Sequence, residues 1–144
     1  MAAERRASVT WSGDLVHGSG TIEEVGSGAF GPLDVSWAAR SEERSQETTS
    51  PEELIAAAHA ACFSMALSGA LGRAGTPPDE LQTSAVVTFV PGTGITKVAL
   101  SVRGRVPGLD AAAFEEAAQA AKAGCPVSKA LAGVPEITLD AALA

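Results

Sequence analysis

Cys62 and Cys125 are the only cysteines among the 144 residues. Two thiols are too few to hold a metal ion alone, but they can form one disulfide. That disulfide would be either a staple or a step in a reaction cycle. Cys62 lies inside a helical run, Ser50-Pro51-Glu52-Glu53-Leu54-Ile55-Ala56-Ala57-Ala58-His59-Ala60-Ala61-Cys62-Phe63-Ser64-Met65. A mid-helix sulfur gains nothing from the N-terminal dipole, so a reactive thiolate there needs a cation from elsewhere. Arg40, Arg44 and Arg73 are the candidates, and His59, one turn before the sulfur, is a candidate base. Cys125 follows a glycine at a helix stop, in Lys122-Ala123-Gly124-Cys125-Pro126-Val127-Ser128. That setting suits a thiol that approaches another and then withdraws. The bland alternative is that both are small buried hydrophobes, the commonest fate of free cysteine.

The elements around these residues read as βββ–α–ββ–α–β. Ala7–Trp11, Gly20–Val25 and Leu33–Arg40 alternate as three strands, and the polar segment Ser41–Thr49 reads as an exposed loop. The cysteine helix starts cleanly: Ser50 is an N-cap, Pro51 suits the first helical position, and Glu53 completes a capping box. Leu54, Ile55, Ala58, Cys62 and Met65 share one face, and the helix should stop near Gly72 or Gly75. It is apolar nearly all round, which predicts burial within the protein or between subunits. Thr83–Val90 and Ile95–Val106 form a hairpin, and Asp110 caps a helix over Ala111–Ala123 that Gly124 ends. Pro126 and Ser128 open a short helical turn, and Ile137–Leu143 is a last strand. The order predicts a single α+β domain over residues 1–144, with antiparallel sheet wrapped on a central helix.

Composition narrows the chemistry. A chain of this length buries a core without staples, so a structural disulfide is not required. The net charge is −7 and no basic stripe occurs, which argues against nucleic acid and anionic membrane as partners. No apolar run reads as a signal peptide or a bilayer span, so the expected location is the cytoplasm, where a disulfide would be catalytic or sensory. His17 falls in a loop; Glu52 and Glu53 suit the positive end of a helix. Glycines 18, 20, 26 and 28 precede no helix start and form no phosphate loop.

The stretch 50–68 resembles the first-cysteine helix of the OsmC/Ohr thiol peroxidases, and Ala121–Ser128 resembles their second-cysteine motif. Further matches are Trp11–Asp14, Gly18–Thr21, Ile95–Lys97, Val106–Asp110 and Glu136–Leu139, in matching order over essentially the whole chain. His59-Ala60-Ala61-Cys62-Phe63-Ser64-Met65-Ala66 favours the OsmC branch. The resemblance implies a haem-free peroxidase with no cofactor, in which Cys62 attacks an organic hydroperoxide and Cys125 resolves the sulfenic acid into a disulfide. It also implies a dithiol reductant, protein-bound lipoamide, and an intertwined homodimer. The family's arginine and glutamate match Arg40 and Glu52, with Arg44 a second candidate for the cation. Glu52 and Cys62 are ten residues apart, about 15 Å along a helix. A glutamate–arginine–cysteine cluster therefore needs Glu52 from a partner subunit. The competing reading is a redox sensor or apolar-ligand binder on the same fold; a pure binding module would not require the second cysteine.

Overall fold

The computed structural model describes residues 1–42 and 47–144, which fall into two compact units, Met1–Pro51 and Glu52–Ala144. In the first, β1 (Val9–Ser12), β2 (Ser19–Ile22) and β3 (Leu33–Val35) form an antiparallel sheet in that order. Trp11 pairs with Gly20 across the sheet, and Gly20 and Val35 pair in turn. A side chain at Gly20 would strike the Trp11 ring at 2.6 Å and Val35 at 2.8 Å, so only glycine fits. The third strand is shorter than the expected Leu33–Arg40. Ser36 breaks it by capping a short helix, α1 (Trp37–Ser41), its hydroxyl accepting from the Ala39 amide at 3.1 Å. Local capping outcompetes the alternation there, and Arg40 lies in the last turn of a helix rather than on a strand.

The second unit is built on α2 (Pro51–Arg73), β4 (Glu80–Val90), β5 (Gly94–Arg105), α3 (Ala111–Gly124), α4 (Pro126–Ala130) and β6 (Glu136–Leu143). The β4–β5 hairpin is antiparallel, with a bulge between Thr88 and Phe89. β6 pairs with β5 in parallel, so this sheet is mixed rather than wholly antiparallel. The cause is topological: α3 and α4 occupy the connection, and a helical crossover returns the chain in the same direction. Lys97 meets Glu136 at 2.7 Å and Arg103 meets Asp140 at 2.7 Å along that edge.

Phe63, Leu67 and Leu71 of α2 pack with Leu100 and Val102 of β5 and with Phe114, Ala118 and Ala121 of α3. Each large apolar side chain so buried contributes roughly 1.5–3 kcal/mol relative to exposure. The α2 core face is therefore His59, Phe63, Leu67 and Leu71 at four-residue spacing, not the expected Leu54–Ala58–Cys62–Met65 face. Ala58 is exposed and Met65 is 74% exposed, while Cys62 is half-buried at the core's margin. The sequence pattern could not separate these faces, because alanine and methionine make α2 apolar on every side. By length and apolarity α2 would suffice to cross a bilayer, contrary to the expectation that no run does; here one face is spent on the core. β5 feeds the same core, and Gly104 admits the Phe114 ring, which an added methyl would meet at 2.5 Å.

Candidate active site

The two thiols, 63 residues apart in sequence, are neighbours in the fold: both are free, and each alters the ionisation of the other. Cys62 is carried by α2. Cys125 occupies the joint between α3 and α4, and its surroundings explain its placement. Proline at the next position disfavours helical backbone for the residue before it, and Cys125 takes φ −61°, ψ 124°. Gly124 remains inside the helix, so the stop is set by Pro126 rather than by the glycine. The Cys125 amide donates to the Ala121 carbonyl at 2.8 Å, and its carbonyl accepts from the Lys129 amide at 3.0 Å. With both ends tied to helices and the residue fully buried, the Cys125 backbone is held rather than loose.

The electrostatics of the pair are asymmetric. Burial pushes the Cys62 thiol above its ordinary value, and the neighbouring Cys125 adds to the rise, against one amide, from Val127, that favours the thiolate. Burial also pushes Cys125 up, but the Ser128 amide, the Cys62 thiol, the Ser128 hydroxyl and the Val127 amide together bring it below the ordinary value. These donors face the sulfur without forming a close side-chain cap on α4. Within Glu52–Ala144, then, Cys125 is the more acidic thiol, and Cys62 lacks the cation that would ionise it.

His59 does not serve Cys62 as a base would. It is fully buried, and its Nε2 lies 2.7 Å from the Ser128 hydroxyl, 69 residues away. Desolvation lowers its pKa, so the ring is neutral at physiological pH. Ser128 is a residue that spacing alone did not single out. The available signal was Pro126, which starts α4 and turns the following residues toward the thiols. Glu52 is buried in the first turn of α2, about 15 Å along the axis from Cys62, so one α2 does not join the two. Arg73, at the far end of the same helix, is likewise three turns away and exposed. Arg40 lies in the other unit, and Arg44 lies outside the described residues. His17 is exposed and bonds Asp14 at 3.1 Å. Among the described residues no cluster of three or more histidine, cysteine or acidic side chains could hold a metal ion.

An α+β fold with two adjoining thiols, one on the helix that feeds the core and one at a helix joint, defines a two-cysteine protein. The chain belongs to the OsmC family: residues 44–140 match the model of OsmC-like proteins. It is 45% identical to the peroxiredoxin OsmC of Escherichia coli, an alignment covering 97% of this chain and 96% of that one. Among solved structures it is similar to the organic hydroperoxide resistance protein OhrB of Bacillus subtilis. That match has a TM-score of 0.62 and 28% identity, over 96% of this chain and 98% of the other. An OsmC-like protein from Mycoplasma pneumoniae shares the fold with a TM-score of 0.71 at 14% identity, over 99% of both chains. The resemblance read from the motifs around Cys62 and Cys125 is thereby established at the level of the family.

Proposed function

We propose that the protein is a cysteine peroxidase that reduces organic hydroperoxides to alcohols in the cytoplasm as part of oxidative-stress defence. The peroxidase class rests on near-full-length identity to a protein named a peroxiredoxin. The observation that carries the mechanism is the pair of free, adjoining thiols. The Cys62 thiolate attacks the O–O bond; an S–O bond forms, and the alkoxide leaves as alcohol after taking a proton. Cys125 then attacks the Cys62 sulfenic acid, expelling water and forming the Cys62–Cys125 disulfide. A dithiol, by family resemblance a lipoylated protein, returns both thiols by exchange. Arg40 supplies the charge that ionises Cys62, and Glu52 orients the guanidinium.

The protein acts as a homodimer. The face of α2 opposite its core face carries Ala57, Ala61 and Met65 at four-residue spacing, all exposed. An open groove lined by Met65, Ala66, Gly69, Ala70 and Ala120 continues it. A second copy on this face would also bring in a second Glu52.

Serine replacements test the reading with cumene hydroperoxide and dihydrolipoamide. Cys62→Ser abolishes turnover. Cys125→Ser consumes one equivalent and then stalls or over-oxidises. Equal activity in both variants and the wild type would refute the assignment and favour a sensor or ligand-binding role.

A further inference from the structure

We propose that His59 and Ser128 form a buried relay that holds Cys125 as the ready nucleophile of the resolving step, both acting as positioning residues. The inference rests on the peroxidase reading given above, and its geometry comes from three elements. His59 sits on the core face of α2, one turn before Cys62, with no exposed surface. Its Nε2 reaches the Ser128 hydroxyl of α4 at 2.7 Å, and Ser128 lies one helical turn after Cys125, where its amide and hydroxyl favour the Cys125 thiolate. The other ring nitrogen, Nδ1, is buried with no hydrogen-bond partner among the described residues.

A buried polar group is retained against its desolvation when its other end does something specific. Here the specific contact is with Ser128. A hydroxyl has one hydrogen to give. With the proton on Nε2, the imidazole donates to the Ser128 oxygen, and the hydroxyl hydrogen is left for sulfur. With the proton on Nδ1, Ser128 would donate to the ring, Cys125 would lose its donor, and an N–H would be buried unpaired. The relay therefore uses the Nε2–H tautomer. A hydrophobic residue at 59 would fill the core equally well but leave the hydroxyl free to turn away from the thiol.

The step balances without further reagents. The Cys125 thiolate attacks Cys62 sulfur in the sulfenic acid; the S–S bond forms as the S–O bond breaks. The departing hydroxide takes up the proton that Cys125 released, giving water. The sulfenic acid comes from the hydroperoxide in the preceding step. The relay lowers the cost of the thiolate for this attack and, on reduction of the disulfide, stabilises Cys125 as the leaving sulfur.

The test begins in a Cys62→Ala chain, where Cys125 is the sole thiol and its ionisation can be followed by ultraviolet thiolate absorbance. Ser128→Ala and His59→Leu should each raise the Cys125 pKa. Ser128→Thr should restore the lower value, as should His59→Gln, whose amide can donate from a similar place. In the chain with both cysteines, rapid mixing with one equivalent of hydroperoxide should show unchanged sulfenic acid formation in Ser128→Ala. Disulfide closure should be slower by about tenfold, the loss of one hydrogen bond to a charged sulfur. If the alanine variant does not fold, the near-isosteric pair Ser128→Thr and Ser128→Val, differing in the hydroxyl alone, decides the question. An unchanged Cys125 pKa and unchanged closure in the folded variants would overturn the relay. The titration needs no turnover, so a wild-type chain inert toward hydroperoxide would sink the peroxidase reading while the titration still judged the network.

Discussion

Replacing Arg40 by methionine tests how Cys62 becomes a nucleophile. Burial and the adjacent Cys125 raise the Cys62 thiol above its ordinary value, and a thiol titrating at about 9 leaves only about one molecule in a hundred as thiolate at pH 7. A charged partner that brought the thiol to about 6, within the range of activated cysteines, would ionise about nine in ten, a gain of about ninetyfold. A more acidic thiolate is also a weaker nucleophile; with a Brønsted slope of about 0.45, three pH units return about twentyfold of that gain. Arg40→Met should therefore slow sulfenic acid formation at pH 7 by about fourfold from ionisation alone. The loss is larger than that if the guanidinium also steadies charge as the O–O bond breaks. The informative assay is the pH profile of the first step, measured by stopped flow with limiting cumene hydroperoxide. The wild type should be flat above neutrality. Arg40→Met should climb with pH until Cys62 ionises, recovering most of its rate. Arg40→Lys should fall between them, since an ammonium offers charge without the planar fork. An Arg40→Met chain as fast as the wild type at pH 7, with the same flat profile, would refute the role of Arg40. Arg44→Met is the matched control.

The buried His59 ties stability to pH. Its pKa is lowered on folding, so between the folded value and the ordinary 6.5 the unfolded chain binds the extra proton, and stability falls as pH drops through that window. Thermal unfolding monitored from pH 8 downward should show that loss, and His59→Gln should flatten it; an unchanged acid limb would refute the assignment. If the proposed dimer forms through the exposed apolar face of α2, Met65→Glu on that face should shift it to monomer by sedimentation. A wild type that sediments as a monomer and turns over hydroperoxide would refute the shared site.

Much of the fold was legible because local signals agreed with the final packing. Asp110 caps α3 as expected, its carboxylate accepting from the Ala113 amide at 2.8 Å, and Pro51 and Pro126 each begin a helix. The β4–β5 hairpin follows from strict alternation, every second residue of β4 being exposed. The failures have physical reasons. Strand pairing direction is a property of the connection, so the parallel β5–β6 edge was invisible in the residues of β6 themselves. On α2 the alanines hid the core face, and with it the burial of His59. The thiols were found by type and motif. Their relative acidity was not, because it depends on Val127 and Ser128 amides that converge on sulfur only once α4 has formed.

That asymmetry bears on the division of labour between the cysteines. Cys125 takes its donors from its own joint and from the adjoining Cys62 thiol, so the resolving half of the proposed cycle would find its donors within Glu52–Ala144. Cys62 receives burial, a neighbouring thiol and one amide, a setting that on balance favours the protonated thiol. On the proposed cycle, attack by Cys62 therefore depends on a charge brought to the middle of α2 from outside that helix, since Glu52 and Arg73 lie near its two ends and Cys62 between them. On that reading, Cys62 would react once the remaining parts of the proposed site were assembled around it. Under the proposed cycle Cys125, held by both helices, would be in place to close a Cys62 sulfenic acid before a second hydroperoxide reached it.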